Sequence, residues 1–274
     1  MKITHLALAF LLTAASSMAA SVTFSSSYIS PDDTGSFLNN SGTILTAVSL
    51  GNTRTGPYTY NAPNASSNPN PEPTLNGISF TTANGGNPTG TYYQVGQNNG
   101  GAIGYDTGRF STVPYTNEGL YGLVYDVARS SANNVRLTLN LTNLVPGATY
   151  SLQMIFSSLN TADNPTNDLR TRNLQIAAGT FTQGANTQVG TGSDGTSDIY
   201  SYGGYGEGSN VGPLLVTADF TADAETQFFT FLTGTEGGNS RVSLAGFVLS
   251  VPEPSAFAMT AIGMLGLILP RRRK

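Results

Sequence analysis

The chain has 274 residues, a formal charge of −4, a single histidine, and neither cysteine nor tryptophan. That length suits one large domain or two small ones. Without cysteine there are no disulfides and no thiol nucleophile, and with its one histidine at position 5 the chain has no Ser-His-Asp triad and none of the usual zinc sites.

The N-terminal segment opens with Lys2, continues as an apolar run from Leu6 to Ala15, and ends in Ser17-Met18-Ala19. A positive start, a short greasy centre and small residues at the cleavage positions predict a signal peptide over 1–19, cut after Ala19, with Ala20 as the near alternative. The body expected to remain is 20–250. It has no lysine, and seven arginines face fifteen acids, for a formal charge of −8. Such a surface argues against nucleic acid, because binding phosphates needs cations, and against anionic lipid for the same reason. It suits a solvated protein outside the cell, or one that meets neutral glycans or divalent cations.

Along the body, strand-like runs recur between turn clusters. Val22–Tyr28, Thr43–Leu50, Gly77–Thr82 and Tyr92–Val95 come first, then Gly119–Ala128 with its alternating residues. In Val135–Leu141, Val135, Leu137, Leu139 and Leu141 alternate with Arg136, Thr138 and Asn140, the period of a half-buried strand. Val145-Pro146-Gly147-Ala148 then fits a type II turn, with Pro second and Gly third. Tyr150–Phe156 runs back with Leu152, Met154 and Phe156 on one face, and the two segments are expected to pair as an antiparallel hairpin. Asn173–Phe181, Leu214–Phe220, Gln227–Thr233 and Arg241–Ser250 complete the strands. Gly51–Asn76, with its Asn-Pro-Asn-Pro-Glu-Pro run, and Gly184–Gly212 read as long loops. No body segment of ten or more residues shows a helical period. The expected fold is all-β: a two-sheet antiparallel sandwich, jelly-roll-like, in one domain, with a hydrophobic helix at the C-terminus.

Three kinds of side chain could carry chemistry in this body. Carboxylates come first: five glutamates (Glu72, Glu118, Glu207, Glu225, Glu236) and ten aspartates. A glycosidase needs only two at the right separation, but most of these sit in turn-like contexts, where a solvated acid is the simpler reading. Calcium comes second. Asp163, Asn164, Asn167 and Asp168 place four oxygen donors within six residues, which suits a hard cation; Asx residues also form ordinary turns. Tyrosines in polar loops are third: Tyr58, Tyr60, Tyr92, Tyr93, Tyr200, Tyr202 and Tyr205 each carry a flat apolar face and a hydroxyl, fit for stacking on a sugar ring or for packing back onto the sandwich. No residue is assigned a catalytic role, and no cofactor is expected apart from the calcium alternative.

The end of the chain is the most informative part. Val251-Pro252-Glu253-Pro254-Ser255 precedes an apolar run, Ala256–Leu269, and then Pro270, Arg271, Arg272, Arg273 and Lys274. The prolines hold the backbone extended around Glu253. The apolar run, as a helix, spans roughly 21 Å against roughly 30 Å of hydrocarbon. The terminal cations resist crossing and stay on the cytoplasmic face. The topology expected is body outside, tail inside, with a short plug anchored by snorkelling arginines.

This order resembles the PEP-CTERM sorting tail, carried here by Pro252, Glu253 and Pro254, by Ala256–Leu269 and by the basic end Arg271–Lys274. The resemblance covers about the last 24 residues. It implies recognition by an exosortase, a membrane-embedded cysteine transpeptidase, followed by cleavage near the motif and delivery to the cell surface or exopolysaccharide. The tail gives an address and not an activity. The second half of the body, Val135–Ser250, faintly resembles jelly-roll carbohydrate-binding domains of the malectin or galactose-binding type. The features that carry it are Pro146-Gly147, the strand from Tyr150 to Phe156, Leu174–Ile176 after Arg170 and Arg172, and Val242–Leu249. The chain departs from those families in having no tryptophan as a sugar platform. The function expected is therefore that of an exported, non-enzymatic surface or exopolysaccharide-associated protein with weak glycan binding or adhesion; the alternative is a carboxylate-dependent glycoside hydrolase or polysaccharide lyase.

Overall fold

Short alternating segments separated by Gly, Asn and Pro must pair with one another to satisfy their backbone groups, and they do so as two stacked sheets. A computed structural model describes residues 22–30, 33–50, 73–83, 86–98, 100–107, 118–130, 135–157, 172–179, 197–202, 212–233 and 242–253. In chain order the elements are β1 (Val22–Tyr28), β2 (Thr43–Ser49), β3 (Thr74–Leu75), β4 (Ile78–Ser79), β5 (Thr81–Thr82), β6 (Thr89–Gly90), β7 (Tyr93–Gln97) and β8 (Gly104–Thr107). There follow α1 (Glu118–Tyr125), β9 (Asp126–Arg129), β10 (Leu137–Leu141), β11 (Thr149–Phe156) and β12 (Arg172–Ala178). The last are β13 (Ser197–Tyr202), β14 (Leu214–Thr221), β15 (Gln227–Thr233) and β16 (Ser243–Val251).

The larger sheet has eight strands, in the order β1-β14-β11-β16-β2-β5, with β9 also pairing β16 and β8 pairing β9. The smaller has six, in the order β13-β12-β15-β10-β7-β6. The main core lies between them. Leu137, Leu139 and Leu141 of β10 and Phe229 and Phe231 of β15 meet Leu152, Met154 and Phe156 of β11 and Phe247 of β16. Aromatic rings join the sheets: Phe156 and Phe231 sit edge to face at 5.4 Å, Tyr93 and Phe247 at 5.2 Å. The fold is all-β and sandwich-like, as the turn-rich composition predicts.

A second core covers the other face of the larger sheet. There Leu120, Leu123 and Val124 of α1 pack with Leu75 and Ile78 of the β3–β4 hairpin onto Ile155, Leu215, Ala245 and Val248. Strands β11 and β16 are thus buried on both faces, which explains why β16 reads as a continuous apolar run and not an alternating one.

Two local expectations are corrected. Gly119–Ala128 is not one strand: it is α1 followed by β9. Apolar residues at both parities disguise the period, yet Leu120, Leu123 and Val124 follow the i, i+3, i+4 spacing of a helix face. Nor do Val135–Leu141 and Tyr150–Phe156 form a hairpin: β10 pairs β7 and β15 in the smaller sheet, while β11 pairs β14 and β16 in the larger. Alternation fixes which side of a strand is apolar, and two strands facing each other across a core satisfy it as well as two side by side.

The turn itself forms as expected. Gly147 has φ 84°, and Ala148 N–H donates to Val145 O at 3.0 Å, the type II pattern. It serves as an arch between sheets, closed by the Val145 N–H donating to the Tyr150 hydroxyl at 2.8 Å. The β14–β15 connection is a parallel arch, zipped to the first by Leu144 N–H to Glu225 O and Ala222 N–H to Ala148 O, both 3.0 Å. Part of the expected 184–212 loop is strand, namely β13. Most of the expected 51–76 loop and the expected helix over 256–269 lie outside the described residues. Among the described residues no helix is long and apolar enough to cross a membrane.

Candidate functional site at the C-terminal end of the larger sheet

β16 is the central strand of the larger sheet, held by β11 on one side and β2 on the other. Its residues Ser243–Ser250 are buried and Val251 is half-buried; Pro252 and Glu253, which open the Pro-Glu-Pro run, are exposed. Proline ends the ladder because it has no N–H to donate. The buried strand therefore gives way to the exposed Pro252 and Glu253 within one residue.

The approach to β2 fixes this junction. Val251 is the Cα partner of Thr43, and the residue before Thr43, Gly42, has φ 103°. A Cβ at Gly42 would overlap the Val251 carbonyl oxygen and stand 3.1 Å from Pro252 Cα. Only glycine both adopts that φ and lets the two backbones pass so closely. Val22 starts β1 at the same end of the sheet, as the register Val22–Phe220–Tyr150 and Ser151–Ser250 shows. Three strand spacings, roughly 14 Å, separate the start of β1 from the end of β16.

Beside the junction lies an open groove of about 610 Å³, between Ile44–Ala47 of β2 and Asn76–Ser79 of the hairpin. β5 pairs only with Val48 and Ser49, so among the described residues the first part of β2 has no strand on that side. The groove's walls are tied together: Asn40 Nδ2 donates to Asn76 O at 2.9 Å, and Asn76 Nδ2 donates to Leu38 O at 2.8 Å. Asn76 and Gly77 have φ 50° and 76°, a type I′ turn, and Asn-Gly between Leu75 and Ile78 is the sequence signal that would have located this hairpin. The lining holds no ionisable side chain, so the groove offers hydrogen bonds and apolar contact but no acid or base.

The tyrosines expected in loops have different settings. Tyr93 is a core residue, 8% exposed, with its ring on Phe247; burial also pushes its hydroxyl pKa up. A ring enclosed in this way cannot offer its face to a sugar, which corrects that assignment. Tyr92 is half-buried and packs on the same core. Tyr200 and Tyr202 have their backbone in β13, opposite Leu174 and Arg172. Tyr58, Tyr60 and Tyr205 lie outside the described residues, as do Asp163, Asn164, Asn167 and Asp168, Pro254, and the basic end Arg271, Arg272, Arg273 and Lys274. Tyr105, which composition alone did not single out, has its hydroxyl pushed up to about 12 by burial and by Tyr93.

An exposed aromatic does occur, at a position the tyrosine search passed over. Phe228 is 42% exposed on the outer face of the smaller sheet. It pairs with Asn140, which pairs with Gln94, so one ring and two amides form a row across three strands, roughly 10 Å long. Its signal in the sequence is the triple Phe228, Phe229, Phe231: a period of two puts Phe229 and Phe231 inside and Phe228 outside. Of the acids with described side chains, Asp33 accepts hydrogen bonds from Gly35 N–H and Ser36 N–H at 2.8 Å in its own turn, while Asp219, Asp223 and Glu225 are exposed. Compared with known protein families and with curated proteins, the chain matches none.

Proposed function

We propose that the chain is an exported surface or matrix protein, delivered by a C-terminal tail of the PEP-CTERM kind and processed there by an exosortase-type enzyme, and that its body works without catalysis. The observation that carries this reading is the junction: the central strand of the larger sheet ends at Val251 and the next two residues, Pro252 and Glu253, are exposed. A motif to be read by an enzyme has to leave the fold, and this one leaves it at the end where the body also begins. The sandwich is read as jelly-roll-like, on the strength of its two inter-sheet arches.

Fractionation of producing cells tests the sorting half. The native chain is expected at the surface or in the matrix, shortened at its C-terminus. A Glu253→Ala chain that also carries Arg271→Ala, Arg272→Ala and Arg273→Ala is expected to stay in the membrane fraction at full length. Equal surface delivery of the two would refute the proposal.

The contact made in the matrix is proposed to be with neutral polysaccharide, through Phe228 and the exposed Gln94. An apolar ring covers a sugar face while amides satisfy its hydroxyls, and the acidic, lysine-free body disfavours polyanions. Phe228→Ala is expected to weaken retention on the producer's own polysaccharide by about 1 kcal/mol, or roughly fivefold. Retention unchanged by the substitution would remove this surface from the account.

A further inference from the structure

We infer that maturation is gated by the body itself: the last two residues of β16, Ser250 and Val251, must leave the larger sheet before the sorting motif can be cut. The inference rests on the sorting reading above. A processing enzyme takes its substrate as an extended segment on both sides of the bond it cuts, and prolines at 252 and 254 favour that form in the residue before each. On the N-terminal side no free segment exists. Val251 pairs with Thr43, Ser250 pairs with Ile44 and with Ser151, and Ser250 is 4% exposed. The backbone at Gly42 also lies against Val251 and Pro252.

On the other side the reach is short. Residues 252–255 carry the chain from the sheet to Ala256, where the apolar run begins, and span roughly 17 Å when fully extended. While that run is in the bilayer, the folded end of the sandwich is held against the membrane surface, where the enzyme must also work. With so short a reach the folded body cannot move off, so the end of the strand has to peel.

The sheet is built to peel at this point. The register between β16 and β2 shifts between Leu249 and Ser250, so a bulge separates the last two residues from the rest of the strand. The Ser250 hydroxyl lies 3.5 Å from Ser151 O, too long for a firm hydrogen bond. Before the bulge, Phe247, Val248 and Leu249 have no exposed surface and hold the strand in both cores. Opening the two residues beyond it lifts Val251 off the edge of the main core and breaks the pairings of Ser250 and Val251, while the strand before the bulge stays in both cores, as local unfolding at a strand end does.

The absence of cysteine permits a clean test in the full-length exported chain. Thr43→Cys with Val251→Cys places two thiols on paired antiparallel positions, within disulfide range. Once oxidised outside the cytoplasm, this chain is expected to mature slower than native by about tenfold or more. Reduction is expected to restore the native rate, and so is a Gly-Ser-Gly-Ser spacer placed between Val251 and Pro252 of the oxidised chain. Native-rate maturation of the oxidised pair, or failure of the spacer to restore it, would overturn the gate while leaving the sorting reading in place. A native precursor that never matures would overturn both.

Discussion

A Gly246→Val chain is expected to lose most of its stability. Gly246 sits within β16, opposite Ser49 of β2 and Ile155 of β11. A Cβ there would stand 2.5 Å from Val48 O and 2.8 Å from Leu123 Cδ1. The first of these atoms is backbone in the neighbouring strand, so relief means breaking the β2–β16 ladder; the second belongs to α1, so relief also means lifting the helix off the sheet. Overpacking of a core side chain alone costs about 1–3 kcal/mol. With an immovable carbonyl added, the loss should exceed about 4 kcal/mol, a fall in Tm of roughly 8–16 °C. Thermal unfolding followed by circular dichroism measures it, and a Tm within a few degrees of native would show that β2, β16 and α1 are not packed as described.

Phe220→Ala is expected to cost about 3–5 kcal/mol. Phe220 is 2% exposed, stacks on Tyr150 at 5.6 Å within its own sheet and meets Phe229 of the other sheet edge-on at 5.7 Å. Phe229 in turn meets Phe24 at 6.4 Å. Truncation leaves a cavity in the middle of this four-ring chain, at the end of the sandwich where β1 starts and β16 ends. Urea unfolding should show a lower midpoint with an unchanged slope. Phe228→Ala, one position after Gln227 on the outer face of β15, provides the control: it should change stability by less than about 0.5 kcal/mol. Equal losses at 220 and 228 would contradict the assignment of faces.

Several longer strands were legible in this sequence; β8, β13 and the strand partnerships were not. β1 and β15 occupy Val22–Tyr28 and Gln227–Thr233, the ranges their residue pattern predicts. Hydrophobic alternation is a property of one strand, so it locates such segments well. It is silent on whether Leu137–Leu141 lies beside Leu152–Phe156 or across the core from it, and the arch at Pro146-Gly147 has the same turn chemistry as a hairpin. α1 was hidden for a related reason. Tyr121 and Tyr125 fill the parity that a polar residue would mark, so Leu120, Leu123 and Val124 pass for part of a strand. The second core could not be read at all, because nothing local in Ala245 or Val248 says that both faces of a strand will be covered.

The site divides in the same way. The order of Pro252, Glu253 and Pro254, an apolar run and four cations is written in the sequence, and the reading of an address follows from it. Where the body stops is a property of the sheet: it took the Thr43–Val251 pairing and the close approach at Gly42 to place the motif against the fold without a spacer. Tyr93 shows the opposite case. Its neighbours are polar loop residues, and only the Phe247 ring across the sandwich reveals it as core.

The intact mass of the chain recovered from outside producing cells tests the central claim most directly. The account predicts a species that starts at residue 20 and ends near Pro252–Ser255, with the apolar run and the four terminal cations gone. Recovery of a surface form that still ends at Lys274 would contradict it.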